Sequence, residues 1–137
     1  MEITFRGKRE DNNDWVYGDL IQNEKGCFIS LDSETSNQYG DGTDLYSTNW
    51  YKVREDTVGQ YINRDDINSR DVYMGDIVKF KDLRDGVKGV GIVQHANCSF
   101  YINTGHMNCY RWTDYEIEMI GNGIDNPELI KEILEWD

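Results

Sequence analysis

Two short apolar segments in the second half of the chain decide the fold. The first is Gly75-Asp76-Ile77-Val78-Lys79-Phe80-Lys81, and the second, which follows a charged turn bounded by glycine, is Val90-Gly91-Ile92-Val93-Gln94-His95. Segments rich in β-branched and aromatic residues, with Gly and Asp at the turns between them, are typical of β-strands. The pattern therefore predicts two antiparallel strands joined by a turn.

Two further segments extend this pattern towards the C-terminus. Residues 99–102 are mostly apolar and aromatic, and residues 115–120 begin with a strict alternation between apolar and acidic side chains, up to Met119. Strict alternation indicates a strand with one solvated face. Four or five short antiparallel strands within about 45 residues would leave exposed edges in an open sheet. Residues 72–122 are therefore predicted to form a small, partly open β-barrel or a curled antiparallel sheet, with an SH3-like opening.

The first half of the chain, residues 1–62, is predicted to be built around a hairpin. Residues 15–21 and 27–31 are two strand-like segments, and the polar connection between them ends in glycine. Residues 32–44 contain one large hydrophobic residue and no periodic pattern of apolar side chains, so they are expected to form a loop. This loop is either a tolerated surface insertion or a functional segment. The polar residues 63–71 divide the two halves of what is expected to be one domain, residues 1–137.

One helix is predicted, over residues 126–136. Asn126 can cap it, Pro127 suits the first helical position, and Glu128 meets the positive end of the helix dipole. An apolar stripe on this helix must be buried against the sheet or against another chain. The side chains of the stripe are Leu129, Ile130, Ile133 and Leu134. The predicted fold class is thus mainly β, or α+β with little helix.

Charge and composition exclude several classes of protein. The 137 residues include 14 Lys and Arg against 26 Asp and Glu, which gives a formal net charge of −12. A surface this acidic repels phosphate, so general binding to duplex DNA is not expected. No segment reaches the ~18 consecutive apolar residues of a membrane span, and the N-terminus lacks an apolar signal core. With three cysteines and no export signal, we expect reduced thiols and a cytoplasmic protein that makes no membrane contact.

Five ordered motifs give the sequence a family resemblance. They are Phe5-Arg6-Gly7-Lys8, Trp15-Val16-Tyr17-Gly18, Thr57-Val58-Gly59-Gln60-Tyr61, Val72-Tyr73-Met74-Gly75-Asp76-Ile77-Val78, and Ile120-Gly121-Asn122 leading into Asn126-Pro127-Glu128-Leu129. In order and spacing they resemble the YopX family of phage-related bacterial proteins, over nearly the whole chain. The resemblance implies a small protein encoded by a prophage or mobile element, mainly β in architecture and oligomeric, with no established activity. It provides no catalytic residues.

Both histidines and two of the three cysteines form a repeated His-x2-Cys pattern. The residues are His95, Cys98, His106 and Cys109. Four nitrogen and sulfur ligands suit tetrahedral zinc. The alternative is ordinary buried cysteine and surface histidine, which is favoured because residues three apart on a strand point to opposite faces.

The carboxylates around the polar connection offer a second metal hypothesis. Asp65, Asp66, Asp71 and Asp76 could hold Mg²⁺ for phosphoryl chemistry. The alternative is a solvated acidic loop, because 26 acidic residues produce such clusters by chance and no Lys or His base lies in the same stretch. We therefore expect no metal, no cofactor and no catalytic residue.

One stretch of the second half carries more Lys and Arg than Asp. Its candidate nucleic-acid contacts are Lys79, Phe80, Lys81, Arg84 and Lys88. Proteins that bind single strands combine such cations with an aromatic stacking surface. The alternative is that lysines on exposed hairpin faces block edge-to-edge pairing of sheets.

We interpret the chain as a non-enzymatic interaction protein that acts through self-association or through a host or phage protein. The candidate contact residues are Leu129, Ile130, Ile133, Leu134 and Trp136. Burying three or four such side chains across a symmetric contact could hold an oligomer, and docking of the helix on its own sheet is the alternative. Two rival functions remain. One is an acidic DNA mimic that inhibits nucleic-acid machinery, which requires carboxylates in rows at phosphate spacing. The other is a small-barrel protein that binds single-stranded nucleic acid.

Overall fold

A computed structural model describes residues 3–30 and 50–134, the last of these through its backbone. The chain divides into two compact units, Met1–Tyr61 and Ile62–Asp137. This division falls beside residue 62, where the N-terminal half was predicted to end. The loop predicted over residues 32–44 lies outside the described residues, and the interpretation of the two halves as one domain stays a prediction.

The first unit is an antiparallel sheet with the strand order β4-β3-β2-β1-β5. The strands are β1 (Phe5–Lys8), β2 (Trp15–Asn23), β3 (Gly26–Ser30), β4 (Trp50–Val53) and the beginning of β5 (Gly59–Asp65). The predicted hairpin is confirmed, because β2 pairs with β3 from Asp19 opposite Ser30 to Asn23 opposite Gly26. The strands β1 and β5 pair through Phe5 opposite Gln60 and Arg6 opposite Gly59.

Alternation along these strands gives the first unit its own small core. Its buried side chains are Val16, Cys27, Ile29 and Val53, with Phe5, Leu20, Tyr51 and Val58 packed against them. A short 3-10 helix, Glu55–Thr57, closes one end of the unit. The Thr57 hydroxyl accepts a hydrogen bond from the Lys8 amide (2.8 Å) and donates one to the Arg54 carbonyl (2.6 Å), which ties this helix to β1.

The second unit contains a five-stranded antiparallel sheet with the order β10-β9-β8-β7-β11. Its strands are β7 (Asp76–Asp82), β8 (Lys88–Ala96), β9 (Ser99–Asn103), β10 (Asn108–Cys109) and β11 (Tyr115–Asn122), preceded by the end of β5 and by β6 (Asp71–Tyr73). Within the described residues, β10 and β11 are separate edges, so the sheet does not close into a barrel. The prediction of a mainly β chain with a curled sheet and a C-terminal helix is confirmed, and the SH3-like comparison stays a prediction.

One face of this sheet, which we call the inner face, forms the main core of the second unit. Its buried side chains are Val72, Val78, Phe80, Val93, Ile102, Cys109, Tyr115 and Ile117. On β7 the period of two is explicit, because Val78 and Phe80 are buried whereas Lys79 and Lys81 are exposed. Alternation of side chains along β7 therefore separates the core from the solvated face.

The helix α1 (Pro127–Leu134) begins at the predicted residue. The expectation that the Asn126 side chain caps the helix is wrong. Its Oδ1 accepts a hydrogen bond from the Asn122 amide instead (3.1 Å). The backbone carbonyl of Asn126 accepts the Leu129 amide (3.0 Å). Asn126 thus joins the helix to the end of β11. None of the helices that the structure describes is long and apolar enough to cross a membrane.

Candidate functional site

The outer face of the sheet in the second unit is covered by α1 at one end only. Under the helix, Ile77 and Ile92 are buried together with Ile133, and the neighbouring strand contributes Ile120. Two residues further along β7, Lys79 begins the part of this face that is solvent-exposed. The candidate site is this uncovered part of the sheet and the groove between it and α1.

Strand register brings a group of charged side chains together on the uncovered face. Lys81 lies opposite Lys88 and Lys79 lies opposite Val90 on β8. On the other side of β7, Glu116 lies opposite Lys81 and Glu118 lies opposite Lys79. We call this surface the lysine face; it consists of Lys79, Lys81, Lys88, Val90, Glu116 and Glu118.

The pair Lys81 and Lys88 is unfavourable for the isolated chain. Like charges directly opposite one another on a sheet repel, which destabilises the strand pair. The ion pairs shorter than 4.0 Å within residues 3–30 and 50–134 involve other side chains and none of the five charged groups of the lysine face. Among the described residues, the ammonium groups of this face are thus not engaged in an ion pair.

A groove of about 600 Å³ lies beside the lysine face, and we call it the α1 groove. Its lining includes Lys79, Val87, Lys88, Val90, Met107, Leu129 and Ile133. Val87 is 57 % exposed and Met107 is 62 % exposed. These exposed apolar side chains, next to the lysines, make the groove a candidate binding surface.

The helix side chains predicted to contact a partner are more buried than an apolar stripe exposed to solvent would be. Ile133 is buried, and Leu129 and Ile130 are half-buried against the same isoleucine cluster of the outer face. The Leu134 side chain and Trp136 lie outside the described residues. The described part of the stripe therefore packs on the sheet of its own unit, which was the stated alternative to contact with another chain.

The candidate nucleic-acid residues do not come together as a stacking surface. Phe80 lies on the inner face, with its ring centroid 5.4 Å from that of Tyr115, so it is buried on the opposite side of the sheet from Lys79. Arg84 is engaged by Asp82 (Nη2 to Oδ2, 2.8 Å) and by Asp114 (Nε to Oδ2, 3.3 Å). Lys79, Lys81 and Lys88 remain neighbours on the lysine face, without Phe80 as a platform.

The four zinc candidates are placed in different environments. Asn97 and Cys98, with φ of 52° and 66°, form the two-residue turn between β8 and β9, a geometry typical of tight hairpins. Cys98 is exposed, whereas Cys109 is buried and its pKa is raised by that burial. The His95 ring contacts the Phe100 ring at a tilt of 58°, with ring centroids 4.9 Å apart.

The described ranges contain no group of three or more His, Cys, Asp or Glu side chains that could hold a metal ion. Two of the four magnesium candidates have structural roles instead. Asp76 is fully buried at the start of β7, and its Oδ2 accepts a hydrogen bond from the Tyr73 amide (2.8 Å), as the Gly-Asp turn chemistry predicts. The second is Asp66, whose side chain is also buried.

Asp66 organises the loop between β5 and β6. Its Oδ1 accepts the amides of Asn68 (2.9 Å) and Arg70 (3.0 Å), and its Oδ2 accepts the Arg70 guanidinium (Nη2, 2.9 Å) and the Met119 amide (2.9 Å). Burial raises the pKa of this carboxyl, but these hydrogen bonds outweigh burial and hold its pKa below the usual value. Asp66 is therefore a structural anion rather than a solvated loop residue.

The same loop covers the outer edge of β11. The Ile67 amide donates to the Ile117 carbonyl (2.9 Å), and the Arg70 guanidinium donates to the Met119 carbonyl (2.7 Å). The Arg64 guanidinium donates to the carbonyls of Trp112 and Tyr115. Groups that would otherwise pair with a further strand are thus occupied, which protects the edge. Sequence reasoning missed this role, because the partners lie about fifty positions apart and no local pattern signals them.

Comparison with known proteins gives one family. The family model described as YopX protein matches residues 4–131, which is most of the 137-residue chain. Among curated proteins, none matches the sequence.

Proposed function

The chain belongs to the YopX family, and from this premise we propose that it is a non-enzymatic interaction protein that binds another polypeptide. The contact surface is the lysine face together with the α1 groove. The observation that supports this proposal is the juxtaposition of the opposed lysines 81 and 88 with the exposed apolar side chains of Val87 and Met107.

A polypeptide is the partner that suits this surface. Carboxylates of a partner can pair with the lysine ammonium groups, and apolar side chains of the same partner can occupy the groove. Asp82 and Asp66, which lie off this face, are engaged within the second unit by Arg84 and Arg70. The charged groups that a partner would meet are therefore those of the lysine face itself.

The cellular setting is part of the proposal. We place the protein in the cytoplasm of a bacterium that carries phage genes, on the basis of the family resemblance, and we take its partner to be a phage protein, a host protein or a second copy. A reduced cytoplasm is compatible with the three cysteines, which are all thiols in the structure.

Site-specific photo-cross-linking in the native cell tests the proposal. A photoreactive amino acid replaces Val90, which is 36 % exposed within the lysine face, or Ile21, which is 41 % exposed in the first unit and serves as the matched control. We expect a discrete protein adduct from position 90 that disappears when Lys81→Glu and Lys88→Glu are added, and none from position 21. Equal yields from both positions, or an adduct that survives the lysine changes, would contradict the proposal.

A further inference from the structure

We propose that the partner binds as an extended segment that adds a strand to the open edge of β8. The open edge is the side of residues Lys88–Val90 that faces away from β7. The segment carries an apolar side chain and, two residues later, a carboxylate. This inference rests on the proposed function and names the mode of binding and the sequence pattern of the partner.

The open edge results from unequal strand pairing on the two sides of β8. On one side, β7 pairs with β8 from Lys88 to Ile92. On the other side, pairing with β9 extends from Ala96 only as far as Ile92, which lies opposite Asn103. Within residues 3–30 and 50–134, the first residues of β8 therefore have a strand on one side only.

The backbone groups of Lys88 and Val90 are directed out of this edge. The Asp82 amide donates to the Val87 carbonyl (2.7 Å), so these two residues form a hydrogen-bonded pair. Along an antiparallel pair of strands such pairs recur at every second residue, and the next residue of β8 to bond with β7 is therefore Gly89. Lys88 and Val90 direct their amides and carbonyls to the opposite side, where they are a template for a further strand.

Space for a strand lies beside the open edge, because the chain turns away from β8 towards β10 after β9 ends. That turn is bonded within itself: the Thr104 amide donates to the Met107 carbonyl (3.0 Å), and the Met107 amide donates to the Thr104 hydroxyl (3.1 Å). The α1 groove and a second cavity of about 430 Å³ on the inner-face side are both lined by Val87 and Met107. A strand added here has a cavity on each side for its alternating side chains.

Charge complementarity selects a carboxylate at the position opposite Lys88. Lys88 lies opposite Lys81 in the pair with β7, and like charges at such positions repel. A carboxylate on the added strand, on the other side of Lys88, offsets this repulsion. Glu132 of α1 lines the far wall of the groove and disfavours a carboxylate close to the helix.

An apolar side chain suits the position opposite Val90. Val90 lies two residues nearer than Lys88 to Ile92, which packs under α1, and Leu129 of the helix lines the same groove. A segment that continues the line of β9 runs antiparallel to β8, so the residue opposite Val90 precedes the residue opposite Lys88. The pattern of the partner is therefore apolar-x-acidic, read from its N-terminus.

A fluorescent peptide tests strand addition on the full-length chain. The probe is N-acetylated leucine-threonine-glutamate-threonine-valine with a fluorophore at its C-terminus, and fluorescence anisotropy should give a Kd below about 1 mM. N-methylation of the glutamate, whose amide would face β8, should weaken binding about tenfold or more. N-methylation of the threonine before it, whose amide would face away, is the matched control and should change binding by less than about threefold.

A charge exchange tests whether the carboxylate lies beside Lys88. Lys88→Glu should weaken binding of the probe about tenfold or more, and a peptide with lysine in place of glutamate should bind this variant more tightly than it binds the wild type. Lys25→Glu makes the same change in net charge at an exposed position of the first unit and should leave binding unchanged. Circular dichroism checks folding, and Lys88→Gln replaces Lys88→Glu if that variant does not fold.

The outcomes separate this inference from the proposed function. No binding of the probe up to about 1 mM, or equal losses from the two N-methylated peptides, would overturn strand addition. A cellular adduct from position 90 to a second copy of this chain would likewise overturn the partner inferred here. An adduct to a different protein that depends on Lys81 and Lys88 would still leave the proposed function standing, whereas its absence would remove the proposed function itself.

Discussion

Oδ2 of Asp66 accepts a hydrogen bond from the backbone amide of Met119 at 2.9 Å, across 53 positions of sequence. The carboxylate is fully buried and is held from its other side by the Arg70 guanidinium. One side chain therefore anchors the β5–β6 loop to the edge strand β11. Since the lysine face uses Glu116 and Glu118 of that same strand, Asp66 supports the surface on which the proposed interaction depends.

Removing the Asp66 charge should lower stability and change its dependence on pH. Asp66→Asn retains the size of the side chain. In the wild type each carboxylate oxygen accepts backbone amides, whereas the asparagine side chain has only one accepting oxygen. We expect a loss of about 2–4 kcal/mol in the free energy of unfolding at pH 7. Asp19→Asn, at an exposed position of β2, is the control and should cost under about 1 kcal/mol.

The direction of the pKa shift fixes the pH range of this effect. The folded chain holds the pKa of Asp66 below its usual value of about 4, so the stabilisation is present above about pH 4 and is lost as the pH falls through the folded pKa. Urea unfolding between pH 7 and pH 3 should show the difference between wild type and Asp66→Asn shrinking on acidification. A difference that stays constant over this range would show that the Asp66 charge does not contribute.

Burial of the helix stripe predicts the effect of a charge at Ile133. Ile133→Asp places an unpaired carboxylate among Ile77 and Ile92, and should cost several kcal/mol or abolish soluble expression. Lys131→Asp, on the exposed side of the same helix, should cost under about 1 kcal/mol. Thermal unfolding of the Ile133 variant at the wild-type temperature would mean that α1 does not pack on the sheet.

Close approach of two strands predicts that Gly91 tolerates no side chain. A Cβ at this position would lie 2.7 Å from the Asn103 carbonyl oxygen, a backbone atom that cannot rotate away. Gly91→Ala should therefore lower the free energy of unfolding by about 1–3 kcal/mol. Val90→Thr, which keeps β-branching at the exposed neighbour, should change it by less than about 1 kcal/mol. Chemical denaturation of both variants measures the difference, and equal stabilities would contradict the packing of β8 on β9.

The three thiols should react at different rates. Cys98 is exposed at the tip of the β8–β9 turn, whereas Cys27 and Cys109 are buried, and burial also raises the pKa of Cys109 so that less thiolate is present. At pH 8 a thiol reagent should label Cys98 first, and Cys98→Ser should remove the fast phase. Mass spectrometry identifies the site, and early labelling of Cys109 would contradict its place in the core.

Local sequence patterns predicted the strands and the helix better than they predicted which surfaces these elements contact. Alternation at residues 115–120 predicted the strand β11. The spacing of Leu129, Ile130 and Ile133 predicted the buried face of the helix. The pattern on the helix could not say whether its stripe meets its own sheet or another chain, because both bury the same side chains. Likewise, Phe80 was grouped with Lys79 by proximity in sequence, yet adjacent residues of a strand point to opposite faces.

The acidic loop illustrates a different limit. A cluster of aspartates near residue 66 has the same composition whether it is solvated, binds a cation or anchors a strand edge. Three contacts distinguish these roles. Asp66 accepts the Met119 amide, and the Arg64 and Arg70 guanidinium groups donate to backbone carbonyls of β11. Tertiary structure sets all three contacts. The lysine face was likewise hidden, since its glutamates and lysines come together only through the pairing of β11 with β7.

Site-specific photo-cross-linking in the native cell tests the central claim most directly, because it reports which surface makes the contact. With the photoreactive amino acid at position 90, the account predicts a discrete protein adduct that Lys81→Glu with Lys88→Glu removes, and no adduct from position 21 of the first unit. An adduct of equal yield from position 21, or one from position 90 that survives the lysine changes, would contradict binding through the lysine face.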